Sequence, residues 1–228
     1  MLFSIGVTED AASGRAARPG GTDLFRQTLL AAVIVAAAAL LLGAESANGA
    51  VVTRLDRAGR PMTFDVRARG VNVNWYAQRL RGSIHGDEIS DVVVRIVPPR
   101  LVRRLCGGGG SCYSSRRGED LLTVPAGRSS GVAHYLLHEY AHHLELQRGS
   151  WRDWEPWMEQ WWAARRIDAL LAQGKVSQDY DLGWEHSIGE IFAEDYVQLH
   201  MRSRYGIRWL RAPGPGIKAA LRSDLRNR

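Results

Sequence analysis

The clearest helical repeat is SSGVAHYLLHEYAHHLELQRG, residues 129–149. Val132, Tyr135, Leu136, Tyr140 and Leu144 recur at helical spacing. Ser129 or Ser130 can cap the start, and Gly149 ends it. A second repeat runs over 185–206, with Ile188, Ile191, Phe192, Tyr196 and Leu199 as its apolar stripe. Between them, 151–172 predicts a helix carrying Trp151, Trp154, Trp157, Trp161 and Trp162. Trp154, Trp157 and Trp161 share a face, which either packs in the core or meets a membrane interface or sugar. A polar loop over 172–183 joins these two helices. Upstream the pattern changes to β-branched runs. DVVVRIVP (91–98) predicts a strand stopped by Pro98 and Pro99, and EDLLTVPAG (119–127) a strand ended by Pro125 and Gly127. Residues 62–76 read as one or two strands, or a strand running into a helix. Strands followed by helices make an α+β class. Proline and glycine near 213–216 close the fold, leaving 211–228 as a tail.

The apolar run TLLAAVIVAAAALLLG (28–43) breaks this pattern. Arginines 15, 18 and 26 precede it and small residues follow, so 28–50 reads as a secretory signal. A retained membrane anchor and a soluble buried helix are the alternatives. Residues 1–27 form an extension expected to be disordered. On this reading the fold begins at about 51 and lies outside the cytoplasm.

Composition adds little to this. The 228 residues carry a net charge of +6, much of it arginine. No zinc finger, RNP-type motif or basic helix repeat accompanies that charge, so nucleic acid is not the expected partner. The two cysteines, Cys106 and Cys112, frame GGGGS. Five flexible residues let the sulfurs meet, and an exported protein permits the bond, so a disulfide is expected.

His138-Glu139-Tyr140-Ala141-His142 is an H-E-x-x-H pattern. On a helix the two histidines lie one turn apart on one face and can reach a single zinc ion. Glu139, one position round, can take a proton from the activated water. His134 is either an outer residue of the site or a surface histidine. His143 points about 100° away from His142, and His85 has no evident partner. A third ligand is still needed. A metzincin continuation fails, because Glu145 and Arg148 stand where glycine and histidine belong. GEIFAEDY (189–196) supplies a carboxylate instead. Glu190 and Glu194 share a helix face, so Glu190 can bind zinc while Glu194 fixes a ligand histidine from behind.

HEYAH with GEIFAEDY beyond it resembles the gluzincin metallopeptidases, in particular the anthrax lethal factor catalytic-domain group and related small bacterial peptidases. The resemblance covers roughly 90–205. It implies a zincin-like domain, placed here over 51–210, with a small mixed sheet, an active-site helix and a following Glu-bearing helix. It implies Zn2+ held by His138, His142 and Glu190, with Glu139 as general base and Glu194 behind the ligands. It also implies a peptide or protein substrate paired to an edge strand at 119–125. The family's oxyanion-stabilising tyrosine would fall at 183, which is glycine here. His186 is preferred in that role, with Tyr180 as the alternative. The expected protein is a secreted or membrane-anchored metalloendopeptidase, acting as a monomer. The rival is a cell-surface binding module for wall polymer or lipid, with a structural zinc and the Trp-rich helix as its contact face.

Overall fold

A computed structural model describes residues 49–116, 118–149 and 158–227. These described residues form one compact unit. The architecture is α+β: a five-stranded mixed sheet with seven α-helices among the described residues. The strands are β1 (Ala50–Leu55), β2 (Pro61–Val66), β3 (Val92–Val97), β4 (Cys112–Arg116) and β5 (Glu119–Pro125), in the order β1-β2-β3-β5-β4. The three central strands run parallel, and β1 and β4 lie antiparallel on the two edges. The β-branched run of β3 suits its central place, where Val92, Val94, Ile96 and Val97 are buried.

Helix α1 (Val73–Arg81) connects β2 to β3, and α2 (Pro99–Leu105) leads from β3 towards the β4–β5 hairpin. Helix α3 (Ser130–Arg148) follows β5 and packs on it. The Ser129 side chain accepts the Val132 N–H at 3.2 Å, and Gly149 ends the helix at φ 142°. Helix α6 (Ile188–His200) packs along α3, with every residue from Ile188 to Val197 buried. The two helices that carry the chemical motifs are thus pressed together, with α3 lying against the sheet.

Several expectations change. The strand over 119–125 is not an edge: β5 lies between β3 and β4, because the intervening hairpin places β4 outermost. The helix expected over 185–206 is shorter, with a 3₁₀ turn at Trp184–His186 before it and an extended Met201 after it. Of the helix expected over 151–172, the described part is α4 (Glu159–Arg165) and α5 (Ile167–Ala172), broken where Arg166 is left-handed at φ 57°. Trp161 is buried and its indole donates to Asp195 Oδ2 at 2.8 Å, so it is a core residue. Trp151, Trp154 and Trp157 lie outside the described residues, as do the 1–27 extension and the apolar run.

The proposed boundaries also shift at both ends. Ala50, assigned to the leader segment, opens β1. The expected tail over 211–228 contains helix α7 (Pro215–Arg226), which packs on α4 and buries Leu221 and Leu225. Asp224 accepts the backbone N–H groups of Gln160 (3.3 Å) and Trp161 (2.7 Å) near the start of α4. Among the described residues no helix is long and apolar enough to cross a membrane.

Candidate metal centre

Helix α3 presents His134, His138 and His142 at successive turns, and α6 presents Glu190 and Glu194 opposite them. His138 Nε2 lies 3.0 Å from Glu190 Oε2 and 3.3 Å from His142 Nε2. His142 Nε2 lies 3.5 Å from Glu190 Oε1. A tetrahedral ion with bonds near 2.05 Å separates its ligand atoms by about 3.3 Å, so one nitrogen from each ring and a Glu190 oxygen could hold a metal ion.

A second, overlapping group that could hold a metal is His134, His138 and Glu194. There both rings meet one oxygen: His134 Nε2 lies 2.8 Å and His138 Nδ1 3.2 Å from Glu194 Oε1. Glu194 Oε2 accepts the Gly206 N–H at 2.7 Å. One Glu194 oxygen thus serves two rings, and hydrogen bonding by itself accounts for these contacts. His134, read as either an outer residue or a surface one, is joined to the cluster through Glu194, and its Nδ1 lies 3.3 Å from Ser203 Oγ.

The outer contacts are paired. Glu194 backs His138, and Glu145 backs His142, with Oε2 3.4 Å from Nδ1. Glu145 was not expected at the cluster. Its place three residues after His142 on the helix was the available signal. Gly189 makes room for it, since a Cβ there would lie 3.0 Å from Glu145 Oε2.

Glu139, Glu145, Glu190 and Glu194 are all buried, at 6%, 3%, 4% and 1% exposure. Four buried carboxylates demand positive charge. Burial works to lower the His138 pKa, but its hydrogen bonds to the Glu190 and Glu194 carboxylates outweigh this and raise it to about 9. The His142 pKa is raised well above its ordinary value in the same way, against burial, by Glu145 and Glu190. Burial works to raise the Glu190 pKa, and the two histidines outweigh it and lower it. The cluster could hold a metal ion.

Glu139 stands next to His138 on the same helix, with one oxygen engaged: Ser111 Oγ donates to Oε1 at 2.6 Å. Tyr180 OH donates to Glu190 Oε1 at 2.8 Å. Its loop is held by a strap in which Ser177 N–H donates to His186 O (3.0 Å) and Ile188 N–H to Ser177 O (3.0 Å). Gly183 turns that loop at φ 91°, a conformation that disfavours any side chain. Trp184 stacks on the His138 ring, with centroids 6.2 Å apart.

His186, preferred for the oxyanion role, is not brought to the cluster. Its ring stacks on Trp209 at 5.0 Å, and its Nδ1 lies 2.7 Å from Lys175 O. His143 is fully buried against Glu88 O at 2.8 Å and Asp120 Oδ2 at 3.2 Å. His85 does have partners: Asp56 Oδ2 at 3.1 Å and Ser83 O at 3.0 Å. Asp195, next to Glu194, is ion-paired with Arg165. The expected disulfide joins Cys106 to Cys112.

Comparison with protein-family models, with curated proteins and with solved structures finds no match to this chain.

Proposed function

We propose that this protein is a zinc-dependent metalloendopeptidase with a zincin-like domain. The observation that carries the reading is the convergence of His138, His142 and Glu190 at tetrahedral-edge separations beside Glu139. Zinc at such a site supplies Lewis acidity, making a water acidic near neutral pH and polarising a carbonyl.

The chain's own groups do the rest. Glu139 takes the attacking water's proton at Oε2, its oxygen not engaged by Ser111, and delivers it to the departing amine nitrogen. Tyr180 turns its hydroxyl from Glu190 towards the carbonyl oxygen as negative charge develops there. Glu194 and Glu145 hold the two rings so that Nε2 of each faces the centre. The substrate is a peptide or protein in extended form. The outer edge of β4 is the strand it pairs with, because β5 already has neighbours on both sides. The Cys106–Cys112 disulfide supports a secreted or membrane-anchored setting with this domain outside the cytoplasm.

Metal content and peptide-library cleavage by the full-length chain test the reading. The expected result is one zinc per chain, lost in Glu190→Ala, and cleavage abolished in Glu139→Gln with zinc retained. Undiminished turnover in Glu139→Gln overturns the mechanism. Stoichiometric zinc in Glu190→Ala removes that residue from the centre.

A further inference from the structure

We infer that the loop closed by the Cys106–Cys112 disulfide belongs to the reaction machinery, with Ser111 as the positioning residue of Glu139. The inference rests on the hydrolytic reading for its consequence and on independent contacts for its geometry.

The first contact is the hydrogen bond itself. Ser111 Oγ donates to Glu139 Oε1 at 2.6 Å. The second lies one turn earlier on α3, where Gly110 rests on Tyr135. A Cβ at Gly110 would fall 2.5 Å from Tyr135 ring atoms, so the loop backbone follows the face of α3 shared by Tyr135 and Glu139. The third is the anchoring of the loop's two ends. Cys106 closes α2 with its N–H on Val102 O at 2.8 Å, and Cys112 opens β4 opposite Thr123 of β5. The disulfide joins these two fixed points.

The loop's composition explains why a crosslink is useful. Gly107 and Gly108 are left-handed, at φ 60° and 102°. A glycine run has the greatest conformational freedom of any sequence when unrestrained. Left open, it would hold Ser111 poorly. Closure by a covalent bond removes most of that freedom.

The chemical consequence follows from the symmetry of a carboxylate. Its two oxygens are equivalent, and the group rotates about its last bond. A short charge-assisted bond to Oε1 fixes the plane and leaves Oε2 as the proton-accepting atom. Loss of that orientation misplaces the base without altering substrate contacts elsewhere. Ser111→Ala therefore lowers kcat by roughly tenfold with KM unchanged, and Ser111→Thr restores it.

A binding cycle tests the geometry without hydrolysis. Acetohydroxamic acid, a small zinc-binding probe that also hydrogen-bonds to a carboxylate beside the metal, is titrated into the zinc-loaded full-length protein by calorimetry. Ser111→Ala is expected to weaken binding about fivefold in the wild-type background and to have no effect in the Glu139→Ala background, where no carboxylate remains to be oriented. Equal weakening in both backgrounds overturns the positioning role. The Cys106→Ser/Cys112→Ser variant is expected to reproduce the kcat loss of Ser111→Ala, and adding Ser111→Ala to it to cause no further loss. Additive losses assign the disulfide a separate structural role and overturn the link. Coupling in the cycle with no peptide cleaved by the wild type leaves Ser111's role standing and removes the peptidase reading. Normal cleavage by Ser111→Ala without coupling does the reverse.

Discussion

Replacing Glu194 by glutamine keeps the shape of the side chain and removes one acceptor. The carboxylate now serves three donors: Oε1 faces His134 Nε2 at 2.8 Å and His138 Nδ1 at 3.2 Å, and Oε2 accepts the Gly206 N–H at 2.7 Å. Glutamine has one oxygen and one NH2. With its oxygen towards the histidines, its NH2 opposes the Gly206 N–H. With its oxygen towards Gly206, its NH2 donates to His138 Nδ1. The His138 proton must then sit on Nε2, the atom that faces Glu190 and His142. Either arrangement leaves a donor unsatisfied or requires a proton to leave before a metal binds. Loss of such an outer partner typically weakens metal affinity by roughly 10–100-fold, or about 1.4–2.7 kcal/mol. Competition with a chromogenic chelator at near-neutral pH measures it. Gly206→Ala gives an independent check, because its Cβ would lie 2.9 Å from the Glu194 carboxyl carbon and displace the group. Wild-type zinc affinity in Glu194→Gln, with the protein folded, refutes the reasoning.

Three further outcomes are expected. Tyr180→Phe lowers kcat by about 10²-fold or more, as expected for loss of an oxyanion donor, while His186→Ala leaves it near wild type; the reverse pattern returns the oxyanion role to His186. Leu221→Ala, at the buried seam between α7 and α4, costs about 2–5 kcal/mol in denaturant unfolding, whereas an unpacked tail would show no change. His200 gives a pH signature remote from the cluster. Burial, then the charges of Arg222 and His85, lower its pKa from 6.5 to about 4, and its Nε2 accepts the Ile84 N–H at 3.3 Å. Between those values His200 therefore binds fewer protons in the folded protein than in the unfolded chain. Its contribution is whole above pH 6.5 and is lost as pH falls towards 4, by up to about 3 kcal/mol. Chemical denaturation across that range should show a shallower rise of stability with pH in His200→Gln than in the wild type, the difference being the His200 share; identical slopes refute it.

Much of the local structure was legible. Helix α3 announced itself by periodicity, by Ser129 and by Gly149, all within 21 residues. The strands β3 and β5 were readable for the same reason. Helix α7 was legible but misread. Leu221 and Leu225 repeat at one turn, and Pro215 begins a helix as readily as it ends one. The strand order was not legible, because pairing β4 outside β5 is a non-local choice, and it moved the exposed edge from 119–125 to Cys112–Arg116.

The candidate site divides in the same way. By itself the sequence determined that His138 and His142 share a helix face with Glu139 adjacent, because a 3.6-residue period requires it. It also placed Glu190 and Glu194 on one face of their own helix. Only the tertiary structure decided that the two faces meet, with histidine nitrogens and Glu190 oxygens 3.0–3.5 Å apart. It also decided that Tyr180 and not His186 reaches Glu190, since the two share one strap and its path sends their side chains to different neighbours. Ser111 and Glu139 stand 28 residues apart, and no local rule links them. A helix fixes its own geometry through bonds to near neighbours, whereas a site assembled from loops and two helices exists only where packing has brought distant segments together.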